Sequence, residues 1–231
     1  MRIWDLPAGY LNRQSLLGEH RELHGLYNIL TEGRTGYSRH PETLRWVGAV
    51  DAVHLRHAHE VAEMTLRGYV DRTPLPPARR NARWPATFVD EPGDQFGLLR
   101  KKYSGRSQGR IPLPRNPQQL WSHHKYSVLA RDPDAYRRIG RAVARMGPRA
   151  PIDELARTLV LTLRQPPGPG RLVNALEHMW GHVNEGASPP GKAAAADGPA
   201  ALLARIQVLA VARRERFLLA STALGELAVY A

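Results

Sequence analysis

Apolar residues recur at helical spacing along almost the whole of this chain, and strand-type alternation is nearly absent. That pattern restricts the fold to an all-α arrangement in which each helix buries one stripe against its neighbours. Asn12 or Ser15 is placed to cap a first helix carrying Leu16, Leu23, Leu26, Tyr27 and Leu30 mostly on one face, with Gly33 ending it. Gly33–His40 reads as a loop. Pro41 suits the first turn of a second helix that runs through Trp46, Val50, Val53 and Val61 to Gly68, with an interruption near Gly48. Residues 71–95 are Pro-rich and irregular. A short helix near Asp94–Tyr103 leads into the basic run Arg100-Lys101-Lys102-Tyr103-Ser104-Gly105-Arg106 and a Gly/Pro-rich link through Pro117.

Pro117, Pro133 and Pro151 each follow a capping or small residue, which predicts helices near 117–130, 133–146 and 151–165. Gly168-Pro169-Gly170 reads as a turn between helices. Residues 185–199 have the composition of a Gly/Ala/Pro/Ser linker, and a last helix over about 200–218 carries Leu202, Leu203, Ile206 and Leu209. The 231 residues have room for two such units, 1–112 and 116–231, each of them helical.

The formal charge is +12, and nearly all of the positive charge is arginine, because lysine occurs only at 101, 102, 125 and 192. Arginine-rich and alanine-rich composition also follows from GC-rich coding. Even so, a surplus of this size on a chain of this length points to a polyanion partner. Cysteine is absent, which excludes disulfides, thiolate zinc sites, iron–sulfur clusters and cysteine nucleophiles. No apolar run has the length of a membrane span, and Met1–Tyr10 lacks a signal peptide's apolar region. The expectation is a cytoplasmic, nucleoid-associated protein with no membrane partner.

Chemistry is concentrated near the start. Initiator methionine is normally removed only before a small residue, and Arg2 is large, so Met1 and its free α-amine are expected to be retained. An α-amine ordinarily titrates near 7.7–8.0, far below a lysine, so part of any such group is an unprotonated nucleophile at neutral pH. Glu22 follows in Glu19-His20-Arg21-Glu22-Leu23, off the Leu23–Leu30 stripe, where it can face a cleft.

This stretch resembles the pyrimidine-dimer DNA glycosylases of the phage endonuclease V type, which begin Met-Thr-Arg-Ile and continue to a Tyr-Arg-Glu-Leu segment. Arg2-Ile3 and Arg21-Glu22-Leu23 match at the family's separation without a gap. The chain is one residue shorter at its start, so the family's threonine falls on Met1. The resemblance covers residues 1–70, and 71–112 loosely. It implies a cofactor-independent DNA repair glycosylase with AP-lyase activity on damaged, UV-dimerised bases in double-stranded DNA. Met1 would supply the nucleophile and Glu22 the essential carboxylate. Arg2, Arg21, Arg13, Lys101, Lys102 and Arg106 would contact DNA. Two family residues are missing, an arginine at the position of Gly25 and a histidine at that of Ser15. Lys102-Tyr103-Ser104-Gly105-Arg106 resembles the family's terminal aromatic and lysine run with fewer aromatics.

Trp121-Ser122-His123-His124-Lys125-Tyr126 and Leu172–Gly181 resemble a bacterial domain of unknown function. Two other readings stand beside the enzyme. One is a non-catalytic nucleic-acid-binding protein on the same scaffold. The other places the activity in the C-terminal helices, with His123, Lys125 or His178 essential. No metal is expected: His54, His57 and His59 read as a solvated helix face, and the i, i+4 pair His178 and His182 lacks a third ligand. His123 and His124 suit either phosphate contact or a bare surface. Trp46, Trp121 and Trp180 read as core, whereas Trp4 either packs beneath the amine or wedges against an unstacked base.

Overall fold

The computed structural model describes residues 1–184 and 190–231, and over 190–197 it describes the backbone alone. Among the described residues there is no strand. The first helix, α1 (Arg13–Glu32), is capped by Asn12, whose side chain accepts from the Ser15 amide, and is stopped by Gly33 in the left-handed region at φ 68°. The expected second helix is two pieces, α2 (Pro41–Arg45) and α3 (Val50–Leu66), broken where Gly48 takes φ 76°. Then follow α4 (Pro92–Lys102), α5 (Pro117–Leu129), α6 (Pro133–Ala144), α7 (Asp153–Leu163) and α8 (Pro169–Trp180).

The linker expected over 185–199 lies outside the described residues at 185–189. From Pro190 the backbone is helical in α9 (Pro190–Ala212), with a non-helical break at Gly198. The last helix is shorter than its apolar pattern suggests. It stops at Ala212, Arg214 enters the left-handed region at φ 52°, and Glu215 caps a new turn, α10 (Arg216–Leu219), before α11 (Ala223–Glu226). The reversal lets Leu218, Leu224, Leu227 and Tyr230 fold back under α3 instead of continuing into solvent. No helix among the described residues is long and apolar enough to cross a membrane.

The core is shared along the length of the chain. One cluster joins Trp4, Leu6, Tyr10 and Leu11 to Leu16 of α1, Phe96 and Leu99 of α4, and Leu120, Ile139 and Leu159 of α5–α7. A second packs Leu55 of α3 with Leu176 of α8, Ile206 of α9 and the terminal Leu224 and Tyr230. A third, smaller one holds Ile3, Leu23, Leu26, Trp46 and Val53.

Polar contacts tie the same parts together. Tyr10 sits edge-on to Phe96 with ring centroids 5.0 Å apart, and its hydroxyl lies 3.0 Å from Nδ1 of His123. The Arg110 guanidinium donates to both carboxylate oxygens of Glu63 and to the carbonyls of Leu219 and Ser221. Beside it, the Ile111 amide donates to the Gly9 carbonyl at 2.9 Å, and a Cβ at Gly109 would lie 2.5 Å from that same oxygen. Glycine is required there by the close approach of two backbones.

His123 and His124 were open to a surface role, and both are buried. Burial holds the His123 imidazole down to about 4, helped by Arg110, and His124 down to about 3. Both are therefore neutral in the folded protein at neutral pH. In the unfolded chain they protonate near 6.5. Their contribution is thus fully present above about pH 6.5 and is lost as pH falls towards 4 and then 3. Urea unfolding followed from pH 7 to pH 4 should show falling stability, with up to about two extra protons taken up on unfolding by this pair. A His123→Gln variant should flatten that slope.

Candidate active site at the N-terminus

Residues Ile3–Leu6 precede the first helical turn, with a bend at Asp5 and Leu6, and a buried charge network holds them. Glu19, fully enclosed on the inner face of α1, accepts from the Trp4 amide at 3.1 Å and from Arg56 of α3 at 2.8 Å. Arg56 also donates to the Leu6 carbonyl at 2.9 Å and lies 3.6 Å from Glu60. On the other side Asp5 pairs with Arg45 at 3.1 Å and with Arg164, at the end of α7, at 2.7 Å. Gln95 of α4 accepts from the Asp5 amide and donates to the Asp5 carboxylate, each at 2.9 Å. Arg45 adds a bond to the Ile3 carbonyl at 3.2 Å.

Burial raises the Glu19 carboxyl against the opposing pull of Arg56, and raises Glu60 further because Glu19 adds its own charge. Apart from Arg56 and Glu60, one turn apart on α3, these contacts join groups well separated in the chain. None of Asp5, Glu19, Arg45, Arg56, Gln95 and Arg164 was singled out from sequence. The one available signal was Glu19 itself, four residues before Leu23 and so on the apolar face of its helix.

Met1 is half-buried, with its side chain packed on the third cluster and its sulfur 3.9 Å from the Thr43 hydroxyl. Glu22, also half-buried, directly precedes Leu23 and lies one helical turn before Leu26. Among the described residues neither the Met1 amine nor Glu22 has an ion-pair partner, so the two are not in direct salt-bridge contact. Arg2 pairs with Asp90 at 2.5 Å. Its guanidinium also stands 5.1 Å from the Trp4 ring centroid, and the Lys102 ammonium stands 5.9 Å from it.

Trp4 is thus a buried plate between two cations rather than a wedge for an unstacked base. Tyr103 is likewise buried, its hydroxyl accepting from the Asn12 amide at 3.0 Å, so it offers no stacking surface. Arg13, Arg21, Lys101 and Arg106 are exposed, and none has a carboxylate within salt-bridge range among the described residues.

Residues 1–76 match the pyrimidine dimer DNA glycosylase family. Residues 125–198 match the family described as a protein of unknown function (DUF1722). The N-terminal third of the chain is therefore glycosylase-related, and the match spans Met1, Arg2, Arg21 and Glu22 together with most of the clamp around them. Arg164, which reaches the glycosylase-like Asp5, comes from the second matched stretch. No curated protein and no solved structure matches the chain.

The histidines of α3 correct the expectation of a solvated face. His57 is buried, His54 is half-buried against Tyr27, and His59 stacks on Trp84 at 6.4 Å with a 10° tilt. Of the tryptophans expected in the core, Trp46 and Trp180 are buried and Trp121 is half-buried.

Proposed function

We propose that this protein is a DNA repair glycosylase with associated AP-lyase activity, acting on damaged bases, UV-dimerised pyrimidines above all, in double-stranded DNA. In a chain that starts at Met1, the α-amine attacks C1′ of the damaged nucleotide. The C1′–N bond to the base breaks, and the sugar ring opens to an imine between C1′ and the amine nitrogen. Glu22 stabilises the positive charge that develops on the sugar and moves the protons needed for ring opening and β-elimination, which expels the 3′ phosphate. Water then hydrolyses the imine and frees the enzyme. A damaged nucleotide leaves the stack more readily than an intact one, which gives the chemistry a source of selectivity.

The observation that carries this reading is the clamped N-terminal segment: a family-matched stretch whose first residue packs on the apolar cluster that includes Leu23, the residue next to Glu22 in α1. Burial supports the choice of substrate. Five glutamates but three arginines are buried among the described residues, so the solvent-facing surface is more cationic than the whole chain. The substrate is chromosomal DNA, which places the activity in the cytoplasm at the nucleoid.

The test incubates the full-length protein with UV-irradiated and undamaged duplexes in the presence of borohydride. The expected result is a covalent adduct on irradiated DNA alone, mapped by mass spectrometry to a chain whose first residue is Met1. Salt-sensitive binding without any adduct would instead favour a non-catalytic DNA-binding role.

Contact through Arg2, Arg13, Arg21, Lys101, Lys102 and Arg106 sets the salt dependence. Six neutralised phosphates give a log–log slope of about −5 for duplex binding. Replacing Lys101, Lys102 and Arg106 together by alanine should reduce that slope by about three, read from binding isotherms across a salt series.

A further inference from the structure

His20 and His24 lie one turn apart on α1, and His57 of α3 faces both. Ring centroids are 4.8 Å apart for His20–His24 and His20–His57, and 5.0 Å for His24–His57. One ligating atom from each of the three lies within 4.8 Å of the others. Asp71, in the segment after α3, closes the group, with its carboxylate oxygens 3.4 Å from His20 Nε2 and 3.9 Å from His57 Nε2. Two of the ring nitrogens, His20 Nε2 and His57 Nε2, are buried without a hydrogen-bond partner. Such orphaned groups are uncommon and unfavourable in an interior, and three imidazoles in mutual contact have little reason to converge unless something binds between them.

We propose that His20, His24, His57 and Asp71 form a binding site for a divalent cation of the zinc class, with the three imidazoles and one carboxylate oxygen as its four ligands. Three borderline nitrogens and one oxygen suit Zn²⁺. Ligand atoms on a tetrahedron with 2.0–2.1 Å bonds lie about 3.3–3.4 Å apart, the separation already present between His20 and Asp71. The His24 ring is half-buried at the rim, where its Nε2 lies 3.1 Å from the Thr73 hydroxyl, and it must draw in from within 4.8 Å of the other ligand atoms to complete the figure.

Four protein ligands leave no open position, so the role is structural. The cation joins α1, α3 and the 69–73 segment, and thereby fixes the rotation of the helix that carries Glu22. His20 and His24 are each two residues from Glu22, about 160° around the helix axis, so the cation takes no part in chemistry at Glu22. The site goes beyond the glycosylase reading and stands or falls apart from it.

The experiment titrates EDTA-treated full-length protein with Co²⁺ and then Zn²⁺, following visible absorption and the thermal midpoint. The expected result is one equivalent of Co²⁺ with the intense d–d bands of a tetrahedral centre, displaced by Zn²⁺, and a midpoint raised by Zn²⁺. His24→Ala, at the rim where folding tolerates it, should weaken Zn²⁺ binding by about 100-fold or more, and Asp71→Asn by about 10-fold or more. Glu22→Gln should bind as the natural protein does. Absence of a stoichiometric tetrahedral Co²⁺ spectrum, or undiminished affinity in His24→Ala, overturns the site. Undiminished affinity in Asp71→Asn overturns the four-ligand arrangement.

Discussion

Glu22→Gln is expected to bind lesion-bearing duplex as tightly as the natural protein while releasing the base and cutting the strand about 10²–10⁴-fold more slowly. Glutamine keeps the size and much of the hydrogen bonding of the side chain, yet it carries no charge for the developing cation and shuttles no proton. Because Glu22 is half-exposed and unpaired among the described residues, the thermal midpoint should hardly move, which separates lost chemistry from lost structure. Single-turnover nicking with enzyme in excess provides the measurement. Acetylating the α-amine, or extending the chain ahead of Met1, should silence the reaction by a different route and prevent borohydride trapping as well. Nicking at the ordinary rate by the acetylated protein would remove Met1 from the mechanism.

The largest effect on stability is expected from Arg56→Met. The guanidinium is enclosed with Glu19 and Glu60, and it also holds the Leu6 carbonyl. Without it Glu19 must either stay ionised in the interior with no counter-charge or take up a proton. Removal of one partner from a buried pair costs about 3–5 kcal/mol, a large share of the roughly 5–15 kcal/mol that holds a domain together. Urea unfolding at neutral pH reads the loss directly. Combining Arg56→Met with Glu19→Gln and Glu60→Gln should recover part of it, since the stranded charges are then gone. A loss under about 1 kcal/mol would show that water reaches this network and shields it.

Local signals made the helices legible. Asn12, Gly33, Pro41, Gly48, Pro117 and Pro133 each act within one turn of their own position, and the structure uses every one of them as a start, a stop or a break. The family match over residues 1–76 was also readable, because Arg2-Ile3 and Arg21-Glu22-Leu23 are short contiguous motifs. What holds them was not readable. Glu19 meets Arg56 across 37 residues, and Asp5 meets Arg164 across 159. A buried carboxylate mid-helix has the same letters around it as a solvated one.

The histidines misled for the same reason. His54, His57 and His59 were judged along one helix, while the partners of His57 lie on another, at His20 and His24. The i, i+4 spacing of that second pair was the available clue. The apolar stretch after Arg213 misled through its periodicity, which continues across a reversal set by the backbone angle of Arg214.

The Arg110 bracket has a consequence for how the molecule is made. One guanidinium grips Glu63, inside the first matched stretch, and the carbonyls of Leu219 and Ser221 near the opposite end. During translation the early helices therefore leave the ribosome long before their last fastening exists. The product of a message cut short before those codons lacks the Leu219 and Ser221 carbonyls that Arg110 holds, and it is expected to be cleaved by proteases faster than the full chain.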